Sequence, residues 1–403
     1  MADLDHRRPR LGHYPARFPA GPTGYRLGMS AGSSDLLETL DPDIQRVLGS
    51  YGFDEQEFAA LRARIREGSL SAESNVVQGP VEPPAPEDLT ALPEPGQPGH
   101  GEARAAGLEA LRAGAVAAVV LGGGMATRFG GVVKGVVPAV DGRSFLELKL
   151  GQVADLGTAV GATLPVAIMT SFATDANTRD FVDERGLSAP LYFNQYVSLR
   201  LQPDGDLFRT GDGAVSLYSP GHGDLLIALR RSGTLARLRS LGVRYVMVSN
   251  VDNVPARLDP VVLGSHVRAG RPMTAEVVAN TGEVGGAPAR VGDKVIIVES
   301  MRYPAGFDHS QLPVTNVNTV TFDLDALDRE FDLTWLYVEK TVDGRPAVQL
   351  ERLYHEASAV LPTTYLVVPA TGPQGRFLPI KTPADLEAAE PQLRELVAQP
   401  PLD

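Results

Sequence analysis

Between residues 35 and 70 the apolar positions recur at helical spacing. Leu36, Leu37, Leu40, Ile44, Val47 and Leu48 form one stripe and Phe58, Leu61 and Ile65 a second, with acidic residues between them. This predicts two short amphipathic helices. From residue 79 to 101 the pattern gives way to glycine, acidic residues and the prolines Pro80, Pro83, Pro84, Pro86, Pro93, Pro95 and Pro98. Proline fixes φ and lacks an N–H, so this stretch predicts a linker or ordered crossing. A helix over about 102–113 then leads into 115–121, an unbroken apolar run typical of a strand covered on both faces. Helical patterns at 145–156, 175–184, 224–241 and 260–269 alternate with apolar runs at 165–169 and 245–248. That alternation predicts βαβ units, hence an α/β, Rossmann-like, doubly wound and mostly parallel sheet. Beyond Met273, β-rich stretches at 274–279, 294–298, 317–322 and 364–368 predict a mixed extension of the same sheet. The expected organisation is a disordered tail at 1–30, a helical unit at 31–78, a Pro-rich linker at 79–101, an α/β domain at 102–390 and a tail at 391–403.

Composition narrows the partners. A chain of 403 residues, 43% hydrophobic, can bury a large core and carry a smaller appended unit. A net charge of -12 and a pI near 5.1 repel a phosphate backbone, so no nucleic-acid partner is expected. With no cysteine, disulfides, thiolate nucleophiles and Cys-ligated metal sites are excluded, which fits a cytoplasmic protein. No run reaches the roughly 18 apolar residues of a membrane helix, so no membrane partner is expected. The Arg-rich start (Arg7, Arg8, Arg10, Arg17, Arg26) lacks a signal-peptide core. Met29, ahead of a Ser-rich opening that resembles a helix cap, reads as a native start.

Candidate chemistry concentrates in loops that follow predicted strands, where ligands of such sheets sit. Leu121-Gly122-Gly123-Gly124-Met125-Ala126-Thr127-Arg128-Phe129-Gly130-Gly131 is followed by Lys134-Gly135. Its glycines let backbone N–H groups approach phosphates and a base edge, and Arg128 and Lys134 can neutralise triphosphate charge. The Gly-Lys-Ser/Thr ending of a Walker loop is missing, and a tight turn is the plain alternative. In Asn250-Val251-Asp252-Asn253 an acid at a strand end suits Mg²⁺, which takes oxygen ligands and bridges to phosphates; the alternative is that Asp252 or Asn253 caps the next helix. His222 stands between glycines in Gly221-His222-Gly223-Asp224, at a helix start where backbone donors favour anions, and Asp224 reads as the N-cap. Gln195 offers the donor and acceptor that an imide edge needs; the plain alternative is an ordinary polar residue at a strand end. Trp335, beside Leu333, Leu336 and Tyr337, reads as core.

These segments together resemble the UDP-glucose pyrophosphorylase family of nucleotidyltransferases. The glycine loop looks like its Leu-x-Gly-Gly-x-Gly-Thr signature. Met169-Thr170-Ser171-Phe172 with Thr174-Asp175 is similar to Met-x-Ser-Phe-x-Thr-Asp, and Phe193-Asn194-Gln195 to Phe-x-Gln. Ser219-Pro220-Gly221-His222-Gly223-Asp224 looks like Pro-Pro-Gly-His-Gly-Asp, and Ser249-Asn250-Val251-Asp252-Asn253 like Ser-Asn-x-Asp-Asn. Val348-Gln349-Leu350-Glu351 and Arg376-Phe377-Leu378-Pro379-Ile380-Lys381-Thr382 resemble its closing motifs. The resemblance runs in order from about residue 116 to 386. It implies joining of UTP and a sugar 1-phosphate, most readily glucose 1-phosphate, into a UDP-sugar and pyrophosphate, with Mg²⁺ as cofactor. It also implies roles. Lys381, Lys134 and Arg128 would act on the reacting phosphates. Leu121, Gly122, Gly123, Gly124, Gln195 and Gly221 would hold the nucleotide. His222, Asn250, Asn316, Asn318, Gly286 and Arg376 would hold the sugar phosphate, and Asp252 the metal.

The chain departs from the family pattern in three places. Ala126 replaces a glycine, Lys134-Gly135-Val136-Val137 replaces the usual Pro-Lys, and about 20 residues after Lys381 are too few for the left-handed β-helix of eukaryotic members. Rival readings are a pyrophosphorylase of other sugar range, including N-acetylglucosamine 1-phosphate, a silent UDP-sugar-binding protein, or a glycosyltransferase. The last usually needs an Asp-x-Asp motif; Asp323-Leu324-Asp325 has that spacing but looks like a helix start.

Overall fold

The apolar run after residue 115 becomes the strand Val116–Leu121, every residue of which is buried. A strand with no polar face must be covered on both sides, and the central sheet is assembled around it. The computed structural model describes residues 35–282 and 284–402. The tail at 1–30 and the start at Met29 concern residues outside that range.

Eight strands make the central sheet: β1 (Leu89–Ala91), β2 (Val116–Leu121), β3 (Val166–Thr170), β4 (Leu191–Asn194), β5 (Tyr245–Asn250), β6 (Met273–Ala279), β7 (Val314–Asp323) and β8 (Thr363–Val367). Their order is β1-β8-β6-β7-β5-β2-β3-β4. Neighbours are parallel except where β7 pairs antiparallel with β5 and β6. From β2 the chain builds outward through β3 and β4 on one side and then returns to place β5 on the other. The topological switch point therefore lies beside the carboxyl end of β2. The doubly wound, mostly parallel reading holds.

Several local expectations change. The predicted helix at 224–241 is two helices, Leu225–Arg231 and Thr234–Ser240, because Gly233 takes φ +80° between them. The strand Lys294–Val298 does not extend the central sheet; it pairs with Ala287–Val291, which also pairs with Val81–Glu82, in a separate three-stranded sheet. The Pro-rich stretch is more than a linker, since it supplies Val81–Glu82 to that small sheet and β1 to the edge of the large one. The helices Pro42–Ser50 and Glu55–Arg66 form as predicted, each with an Asp N-cap. Their Val47, Leu48, Phe58, Leu61 and Ile65 share a core with Leu199, Leu201, Leu217, Val348 and Leu350, so the unit is packed onto the body. The expected tail at 391–403 mostly belongs to the helix Pro383–Ala398, whose Leu393 and Leu396 are buried against Phe145 and Leu146. Pro391, inside the helix, is the local signal that sets the expected boundary there, since proline usually ends a helix.

Candidate active site

The strand ends lay out the candidate residues side by side. Gly122 follows β2, and its N–H donates to Met169 O (2.9 Å). Gly123 leans on Gln195 so closely that a Cβ there would lie 2.7 Å from the amide Nε2. Its carbonyl accepts from Ser171 Oγ (2.9 Å). Glycine is thus required by close approach, and the loop and Gln195 form one seat. Beneath it, Thr170 Oγ1 donates to Asp175 (2.6 Å) and Asn194 Nδ2 donates to both Thr170 and Asp175. These buried bonds tie the ends of β3 and β4 together and carry Gln195 into the crevice.

Asp224 couples this seat to the histidine loop, and not as a cap. Its carboxylate, fully buried, accepts from Tyr196 N (2.9 Å), next to Gln195, and from Arg352 Nη2 (2.6 Å). No side-chain cap bond starts the following helix from it. Gly223 donates to Arg352 O (2.8 Å), and a Cβ on it would stand 2.3 Å from that carbonyl carbon. Gly221 sits at φ +97°. Packing and conformation together keep the loop free of side chains except His222. Tyr354 N donates to His222 Nδ1 (3.4 Å), so the proton of the neutral ring is on Nε2. Burial, then the nearby His355 ring, pushes the His222 imidazole down to about 3. It is a neutral donor at ordinary pH.

A row of amides follows on the other side. Asn318 Nδ2 donates to Asn250 Oδ1 (2.9 Å), Asn318 N to Asn316 Oδ1 (3.3 Å) and Asn316 N to Gly286 O (2.8 Å). Asn318 adopts φ +57°, a conformation asparagine tolerates, and its carbonyl accepts from Tyr354 Oη (2.9 Å). A Cβ on Gly286 would lie 2.9 Å from Glu299 Oε2, which is 3.7 Å from His355 Nε2. Glu299 and His355 carry no local signal in the sequence: one lies at the end of a β-rich stretch and the other in a mixed stretch without a recognisable motif.

Asp252 and Lys134 form an ion pair at the mouth of β5. Neither Asp252 nor Asn253 caps a helix, since the helix Pro260–Ala269 is capped by Asp259. Asn253 clamps the last motif, donating to Arg376 O (3.1 Å) and accepting from Leu378 N (3.1 Å). Ile380 is buried and Lys381 emerges exposed just before the N-cap Thr382. Arg376 departs from expectation. It is 3% exposed, pairs with Glu276 and donates to Arg257 O (2.9 Å), so it anchors backbone and cannot reach a sugar phosphate. Arg128 is exposed on the turn Thr127–Phe129 and is not joined to the other candidates by hydrogen bonds among the described residues.

The family model for UTP--glucose-1-phosphate uridylyltransferase matches residues 58–399. The chain belongs to this family. Relatives named UTP--glucose-1-phosphate uridylyltransferase include those of Pyrus pyrifolia, 29% identical over 68% of this chain, and Hordeum vulgare, 30% identical over 69%. The matched stretch spans 62% of the length of each relative. The fold is that of the solved Trypanosoma brucei UDP-glucose phosphorylase, with TM-score 0.69 at 23% identity, covering 84% of this chain and 76% of that one. Uridylyltransferase-family membership accounts for the order of the motifs. No helix among the described residues is long and apolar enough to cross a membrane.

Proposed function

We propose that this chain transfers the uridylyl group of UTP to a sugar 1-phosphate, with glucose 1-phosphate the first substrate, and releases pyrophosphate. The observation that carries the reading is the layout along the sheet edge. A base seat (Gly123, Gln195) after β2 and β4, a charged pair (Lys134 from the loop after β2, Asp252 after β5) and an amide row (Asn250, Asn316, Asn318) reaching β7 follow one another as base, phosphates and sugar do in the product.

Gln195 would pair with the imide edge of uracil while Gly122 to Gly124 admit the phosphates. The amides, Gly286, Glu299 and the His222 Nε2–H offer donors and acceptors to sugar hydroxyls and the sugar phosphate. An oxygen of the sugar phosphate attacks the α-phosphorus of UTP in line, and the bond from that phosphorus to the bridging oxygen breaks. The electron pair leaves with pyrophosphate. No general base is required, because the attacking phosphate is already ionised, so positioning and charge do the work. Lys381 and Lys134 would offset charge on the leaving group. Among the described residues no cluster of three or more acids or histidines could cage a metal ion. A lone carboxylate fits Mg²⁺, which keeps waters and takes phosphate oxygens. Asp252 would hold it, and bound Mg²⁺ would supply a Lewis acid for the phosphates.

The test is pyrophosphate release with Mg²⁺ across UTP, other nucleoside triphosphates and several sugar 1-phosphates, N-acetylglucosamine 1-phosphate included. Release with UTP and glucose 1-phosphate supports the reading, release with another sugar only moves the amide row's partner, and silence throughout overturns it. Lys381→Ala should lower turnover about 100-fold or more with an unchanged circular dichroism spectrum.

A further inference from the structure

Behind the charged pair lies a buried lysine that the proposed reaction does not use. Lys149, 4% exposed, projects from the helix Phe145–Val160 and donates to Ala256 O (2.5 Å) and Ser249 Oγ (3.1 Å). Its charged neighbours are Arg376, Asp252 and Glu276, and no carboxylate among the described residues is within ion-pairing distance of it. Burying an amine without a counter-ion is costly, and an apolar side chain would fill a core position at less cost. What the amine grips explains its presence.

Ser249 directly precedes Asn250, and Ala256 closes the turn that carries Asp252. The next carbonyl, that of Arg257, is held by Arg376, and Asn253 in the same turn holds residues 376 and 378. On the other side, the turn Lys134–Val136 packs against the lysine's own helix, with Gly135 lying over Leu146. Lys149 therefore joins the element that supports Lys134 to the turn that presents Asn250 and Asp252.

Resting on the uridylyl-transfer reading, we propose that Lys149 is a positioning residue. By holding both ends of the 249–256 turn it sets Asn250 and Asp252 relative to Lys134 and, through Asn253, the segment that ends in Lys381. The base seat is built from other elements and stays in place without it.

The experiment compares wild type, Lys149→Met, Lys149→Arg and Ser249→Ala, by steady-state kinetics with Mg²⁺, UTP and glucose 1-phosphate and by hydrogen–deuterium exchange. In Lys149→Met, kcat should fall about 10- to 100-fold with the KM for UTP changed less than about threefold, and Lys149→Arg should recover part of the loss. Exchange should quicken in peptides covering 249–257 and not across the sheet. Ser249→Ala, which removes one acceptor and no charge, should move both readouts the same way to a smaller extent, and it carries the test if Lys149→Met does not fold. Wild-type kcat and wild-type exchange at 249–257 in Lys149→Met and Ser249→Ala overturn the proposal, as does quickened exchange throughout the sheet. If wild type itself releases no pyrophosphate, the reaction fails, while locally quickened exchange in the variants still supports the anchor.

Discussion

At the scale of single residues, the site is shaped as much by missing side chains as by present ones. Gly123→Ala would push a methyl group into the Gln195 amide. The expected outcome is a KM for UTP raised about tenfold or more, with a thermal midpoint close to wild type, measured by initial rates and calorimetry. His222 gives a pH prediction. Burial and His355 hold its ring down to about 3, so it stays neutral from pH 5 upward and contributes no limb to the pH–rate profile between 5 and 8. A histidine limb in wild type that vanishes in His222→Gln would contradict this. That these residues gather at the strand ends was largely legible, because glycines, amides and a lone histidine beside predicted strand ends have few structural uses there. Arg376 was not: a buried ion pair with Glu276, 100 positions away in the chain, leaves no local mark.

At the scale of elements, the last helix and the histidine loop carry the clearest consequences. Leu393 is fully buried against the helix Phe145–Val160, so Leu393→Ala should cost about 2–5 kcal/mol in urea unfolding, although the position was expected in a tail. Asp224 and Arg352 form a buried pair joining the histidine loop, the base seat and, through Glu57 (3.8 Å), the N-terminal helices. Desolvation raises the Asp224 carboxyl above its usual range, partly offset by Arg352. Removing one partner strands the other charge, so Asp224→Ala should lose about 3–5 kcal/mol by the same measurement. Helices with one apolar stripe and a capping residue announce themselves locally. The break at Gly233 and the detached strand Lys294–Val298 do not, because each is decided by what the segment meets.

At the scale of the whole molecule, buried titratable groups set how stability follows pH. Lys149 is pushed down from 10.5 to about 7 by burial and then by Arg376. Between those values the unfolded chain binds a proton that the folded chain does not, so stability from this group rises with pH across that window. His355 and His222, both held at about 3 by burial, act in the same sense lower down: stability is lost as pH falls below 6.5. Wild type should therefore gain stability from pH 7 to 9 relative to Lys149→Met, in denaturant titrations at each pH; parallel curves would count against the lowered titration of the buried amine. What the sequence determined by itself was the rhythm of strand and helix, the doubly wound sheet and the loops that face its carboxyl edge, since periodicity and glycine placement are local physical requirements. What only the tertiary structure decided was which charges meet: Lys134 with Asp252, Arg376 with Glu276, Asp224 with Arg352 and Lys149 with a bare carbonyl. Those pairings join residues about 100 positions apart, and the energy that selects them exists only once water has been removed from between them.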